Sequence, residues 1–144
     1  MTAKDRGSYA RKHPSGRKPG EEISRVVAER AKVSQIPCAV AFTVVEDLNV
    51  PPAEVGLAAD VLEIAIVKCQ LGLFGYQPEK RIVKPAASVL PALEAKIRQG
   101  LLNGRLPCAT AWQIAEEFHV PKMEVSSACE TLKIKVSPCQ LGAF

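Results

Sequence analysis

Apolar residues recur at helical spacing in two parts of the chain. Ile23, Val27 and Ala31 stand at i, i+4 and i+8, and so do Leu93, Ile97 and Leu101, each the stripe of a helix that buries one face. The spacing predicts helices over 21–33 and 90–103, the second stopped by Asn103-Gly104, a pair suited to a helix C-terminus. A short extended piece follows each, Gln35-Ile36 and Arg105-Leu106, because a proline comes next and disfavours the α region before it. Pro37 and Pro107 suit the first turn of a second helix, where a missing N–H costs nothing. That helix runs to Leu48 in one case and Phe118 in the other. Asn49 and His119 then stand at the turn, and both residue types are enriched at positive φ. A third helix opens after Val50-Pro51 and Val120-Pro121, with Glu54 and Glu124 placed favourably in its first turn. Its inward positions are Val55, Ala58 and Leu62, or Val125, Ala128 and Leu132. The β-branched runs Ile64-Ala65-Ile66-Val67 and Ile134-Lys135-Val136-Ser137 predict a strand after it.

These are two copies of one series. Ile36-Pro37-Cys38-Ala39 returns as Leu106-Pro107-Cys108-Ala109, and Cys69-Gln70-Leu71-Gly72 as Cys139-Gln140-Leu141-Gly142, both at an offset of 70. Laid over each other without a gap, 36–74 and 106–144 agree at 17 of 39 positions. The chain is a tandem duplication. It divides into a basic N-terminal arm at 1–20, a first unit at 21–76, a proline-bounded linker at 77–87 and a second unit at 88–144.

Within each copy, two helices flank a left-handed turn residue. Ile114-Ala115, Phe118-His119-Val120, Val125 and Ala128 resemble a helix-turn-helix motif: a small residue before the turn, an apolar one after it, and an apolar anchor beyond. Val44-Val45, Leu48-Asn49-Val50, Val55 and Ala58 are similar, with Val45 in place of the small residue. Both copies lack the usual turn glycine. With a helix before and a strand after, each unit resembles a winged-helix domain, and the second stops at Phe144 with at most a stub of a wing. The fold expected is mainly α with short β: two tandem three-helix winged-helix-like units, pseudo-two-fold related.

That resemblance implies DNA binding through the third helix of a unit, and charge decides which unit. The whole chain carries net +4 over 144 residues. The arm holds six cations (Lys4, Arg6, Arg11, Lys12, Arg17, Lys18) against Asp5, residues 21–76 sum to −4, and residues 77–144 to +3. The outward face expected for the first copy is Pro52, Ala53, Gly56, Leu57, Asp60 and Glu63, which phosphates would avoid. The second copy offers Lys122, Met123, Ser126, Ser127, Glu130 and Lys133, with Arg105 and Lys135 on neighbouring elements. Candidate contacts to duplex DNA are therefore Lys122, Ser126, Ser127, Lys133 and Arg105, joined by Lys80, Arg81 and Lys84 of the linker and Arg17 and Lys18 of the arm. No Arg, Asn or Gln stands on the reading face for bidentate recognition, so contact is expected to be mostly electrostatic.

Other classes recede. There is no phosphate loop, no acid and base at working spacing and no Ser/His/Asp set, so an enzyme is not expected, nor a cofactor. No apolar run reaches the ~18–20 residues that span a bilayer, and residues 1–20 lack the apolar core of a secretory signal. A cytoplasmic protein without membrane partners is the expectation, either a monomer imitating a dimer or a homodimer. Two alternatives stay open. The acidic first unit suits a protein partner, making the chain an interaction scaffold. Cys38, Cys69, Cys108 and Cys139 recur in pairs 31 apart, which suits a redox pair or a metal site, although no C-x-x-C spacing is present and burial as small core residues is the stronger reading. Cys129 replaces Ala59 on the third helix and reads as core.

Overall fold

The computed structural model describes residues 19–144. It is mainly helical, with six helices and one two-stranded sheet among the described residues: α1 (Glu21–Arg30), β1 (Gln35–Pro37), α2 (Cys38–Leu48), α3 (Pro52–Val61), β2 (Ala65–Val67), α4 (Pro91–Gln99), α5 (Cys108–Phe118) and α6 (Lys122–Leu132). The 70-residue offset reproduces α2 as α5 residue for residue. The arm, with Arg17 and Lys18, lies outside the described residues.

The first helices are shorter than their apolar stripes predict. α1 ends at Arg30 and α4 at Gln99, so Ala31 and Leu101 fall beyond them. The residues past each end close a tight hairpin instead. Leu102 and Arg105 exchange N–H···O bonds of 2.7 and 3.1 Å around Asn103-Gly104, both at positive φ. This is the twist that two-residue hairpin turns require, so Asn103-Gly104 makes a turn and not a helix stop. Lys32 and Gln35 do the same around Val33-Ser34, also at positive φ.

Pro37 and Pro107 sit one residue earlier than expected, as the extended N-caps of α2 and α5. Both helices end in a left-handed residue, Asn49 (φ 52°) and His119 (φ 54°). The next amide then reaches back five residues, Val50 to the Val45 carbonyl and Val120 to that of Ala115. That bond satisfies a carbonyl the helix leaves open. Proline N-caps at Pro51 and Pro121 start α3 and α6 straight after the turn.

The strand following the third helix pairs backwards, with the strand before the second. β1 and β2 run parallel, in the register Gln35–Ala65, Ile36–Ile66 and Pro37–Val67. The second copy keeps a single parallel bridge, Leu106–Val136. Ile66 and its β-branched neighbours favour a ladder, whereas Ser137-Pro138 ends it, proline having no N–H to give. An antiparallel wing hairpin after the third helix is absent among the described residues.

The chain divides into two compact units whose limits differ from those of the sequence repeat. Unit 1 runs to Cys69 and includes Leu141–Ala143; unit 2 is Gln70–Gln140 with Phe144. Unit 1 packs Ile23 and Val27 of α1 with Val44, Val55, Ala58 and Ile36, all buried, and Arg30 on α1 bonds Asp47 on α2 at 2.8 Å. Unit 2 packs Leu93 and Ile97 of α4 with Ile114, Val125, Ala128 and Leu106, and Lys96 on α4 meets Glu117 on α5 at 3.4 Å. Gln70-Leu71-Gly72 of the first copy thus belongs to the unit built from the second copy's helices, and Leu141–Ala143 of the second copy to the unit built from the first's.

Candidate nucleic-acid interface

In unit 2 α5 passes through the left-handed His119 into α6, and the outward face expected of α6 is already occupied. The Ser126 hydroxyl donates to the Leu71 carbonyl at 2.6 Å, with the Met123 carbonyl 3.0 Å from the same oxygen. From there the chain turns at Gly72 (φ 76°), whose carbonyl accepts the amides of Ile82 and Val83 at 2.9 and 3.1 Å. Arg81 pairs with Glu130 on α6. The Ala86 amide donates to the Ser127 carbonyl at 3.1 Å, and the Ala86 carbonyl accepts the Thr131 hydroxyl at 2.6 Å. Leu71-Gly72 and residues 81–86, joined through the Gly72 carbonyl, therefore form a strap on α6, holding it by both polar and apolar contacts, with Val83 buried.

This alters the expected reading face residue by residue. Ser126 is 1 % exposed, with its hydroxyl spent inside the protein, so it does not face a groove. Ser127 is half-buried beneath the strap. Lys122 is half-buried, its ammonium 4.8 Å from the centre of the Trp112 ring, a cation–π contact. Arg81 is engaged with Glu130, while Lys80 and Lys84 remain exposed. In unit 1 the correction is larger: Gly56, Leu57 and Asp60, expected to face outward, are all buried. A Cβ at Gly56 would stand 1.8 Å from the Leu141 carbonyl oxygen.

Cations do gather elsewhere on unit 2. Arg105 leaves the Asn103-Gly104 turn, Lys133 is the left-handed cap of α6 (φ 58°), and Lys135 precedes the Leu106–Val136 bridge. The Leu106 amide donates to the Lys135 carbonyl at 3.0 Å and the Ser137 amide to the Leu106 carbonyl at 2.9 Å. Leu106 and Val136 point into the core, and Arg105, Lys133 and Lys135 are exposed. Sequence spacing separates Arg105 from Lys135 by 30 positions; the Leu106–Val136 bridge brings their chain segments together. The strap was equally hidden in the sequence, its one trace being the Gly56–Ser126 exchange at matched positions.

The cysteines stand apart from this surface. Cys38, Cys69, Cys108 and Cys129 are buried, Cys139 is half-buried, and all are free thiols. The Cys108 amide donates to the Pro138 carbonyl at 3.0 Å, which brings Cys108 beside the peptide leading into Cys139, and Gln140 Nε2 lies 3.5 Å from the Cys108 sulfur. Among the described residues no three His, Cys, Asp or Glu side chains converge on a metal-sized site. Burial and the neighbouring Glu130 carboxylate, in that order, push the Cys129 thiol up to about 11. No described helix is long and apolar enough to cross a membrane.

Comparison with protein-family models, with curated proteins and with solved structures found no match to this chain.

Proposed function

We propose that this protein binds duplex DNA without catalysing a reaction, as a cytoplasmic regulator built from two winged-helix-like units in pseudo-two-fold relation, unit 2 making the main contact with help from the basic arm. The observation that carries this reading is the excess of exposed cations on unit 2. Lys80, Lys84, Arg105, Lys133 and Lys135 are all exposed and none forms an ion pair with a described residue. Unpaired surface cations in one region attract a polyanion and release its counterions on binding. Helix, left-handed turn and helix recur in both units, which supports the motif's resemblance. The strap over α6 and its spent serine favour contact with phosphates over base reading.

Fluorescence anisotropy of a labelled duplex across a salt series tests the proposal. Binding should weaken linearly in log–log form as salt rises, with little dependence on sequence. Absence of binding at low salt would sink it. That outcome would favour the second reading, a scaffold whose unit 1 receives a protein partner: Glu21, Glu22 and Glu46 are exposed there, as are the apolar Val61 and Leu62.

A further inference from the structure

The parallel bridge of unit 2 sets two like charges side by side. Residues opposite each other on paired strands share a face, and neighbouring strands lie about 4.8 Å apart. Leu106 and Val136 are partners and both are buried, so Arg105 and Lys135 leave the opposite, solvent face next to each other. Like charges placed directly across a strand pair destabilise it. Lys133 adds a third cation two residues upstream, in a left-handed conformation that an L-residue adopts at a cost. Glu130, one turn back on α6, is engaged by Arg81 and does not offset them.

Unit 1 supplies the control. The same backbone recurs there, with Gln35 opposite Ala65 in parallel register and Glu63 in the left-handed position at φ 56°. The scaffold therefore forms with a neutral pair and a carboxylate where unit 2 has three cations. The cations are not demanded by folding, and by their mutual repulsion they work against it. A ligand of opposite charge accounts for their presence.

We infer that the edge formed by Arg105, Lys133 and Lys135, and not the outward face of α6, seats the phosphodiester backbone of duplex DNA. This rests on the DNA-binding reading above and assigns its surface. A duplex presents one negative charge per about 1.7 Å of its axis, so three cations on one edge meet neighbouring phosphates together. The guanidinium of Arg105 grips a phosphate with two parallel N–H bonds, and the two lysines act as point charges.

The test uses the full chain and a short labelled duplex, with anisotropy read across a salt series. One variant combines Arg105→Gln, Lys133→Asn and Lys135→Ala, which restores neutrality as unit 1 has it at 35 and 65 and puts a residue tolerant of positive φ at 133. A second combines Lys122→Ala and Ser127→Ala on α6. The edge variant should lose about 2–3 from the log–log salt slope, near 0.9 per phosphate contact, and at least about tenfold in affinity at ~0.1 M salt. The α6 variant should bind as the parent does. Arg105→Gln alone, expected to lower the slope by about 1, carries the test if circular dichroism finds the triple variant misfolded. An unchanged slope in the edge variants, with binding lost in the α6 variant, overturns this inference and leaves DNA binding standing. A parent chain that binds no duplex at low salt overturns both.

Discussion

Gly56 lies in the middle of α3, where glycine costs a helix about 1 kcal/mol relative to alanine. The Leu141 carbonyl explains it, since a Cβ would fall 1.8 Å from that oxygen. Gly56→Ala should cost about 2–3 kcal/mol through overpacking, read as a lower urea midpoint. At the matched position of α6, Ser126 fills the space and donates to the Leu71 carbonyl. Ser126→Ala should cost about 1–2 kcal/mol by leaving that buried acceptor unpaired. Val33 shows the reverse economy: it is 94 % exposed at positive φ, a conformation that is costly for a β-branched side chain. Replacing Val33-Ser34 by Asn-Gly, the pair used at 103–104, should stabilise the fold by about 1 kcal/mol, read as a higher urea midpoint. Cys129 ties stability to alkaline pH. Its thiol is held neutral up to about 11 against an ordinary 9.0, so the unfolded chain releases the proton first. The corresponding stability is complete below pH 9 and is lost as pH rises through 11. Alkylation at pH 8 should spare Cys129 in the folded protein and label it once urea unfolds the chain.

Among the elements, the three helices of each copy were legible because their signals are local: a 3.6-residue apolar stripe, a proline start, an Asn or His turn. Their limits were less so. Asn103-Gly104 satisfies both a helix C-terminus and a hairpin turn, and the hydrogen bonds between Leu102 and Arg105 decide for the turn. The strands were legible as β-branched runs, but their partners and parallel direction depend on residues about 30 positions away. The strap had no periodicity at all and reads as a linker from sequence. Its bonds predict that the Ala86 amide is protected in hydrogen exchange, through the Ser127 carbonyl. Thr131→Val should speed that exchange while changing global stability by no more than about 1 kcal/mol, since one solvent-accessible bond is lost. Unchanged Ala86 exchange would mean that the Thr131 bond does not hold the strap.

At the scale of the molecule, the duplication and the compact units do not coincide. The copies end near 76 and 144 in sequence, yet Leu141–Ala143 belongs with α1, α2 and α3, and Gln70 onward with α4, α5 and α6. Leu141 is buried at 2 % exposure, and Leu141→Ala should remove about 2–5 kcal/mol. The loss should appear as faster amide exchange in α3, while α6 keeps its protection. Early loss in α6 would contradict the assignment of Leu141 to unit 1. Net charge divides along the same lines as the copies, acidic in the first and basic in the second. That polarity was legible in full, and it is why the proposed DNA contact falls on unit 2. Which cations would serve it was not legible, because Ser126 and Arg81 reach their partners only in the folded chain.

The duplication, the helical character of each copy, the left-handed turns at Asn49 and His119, and the charge polarity can all be read along the chain. All of these are set by residues close in the chain or by simple summation. Only the folded chain places Gln70-Leu71-Gly72 with the second copy's helices and Leu141–Ala143 with the first's, lays the strap on α6, and brings the segments of Arg105 and Lys135 together through the Leu106–Val136 bridge. Each of those depends on a hydrogen bond or a steric contact between distant residues, for which one-dimensional periodicity holds no record.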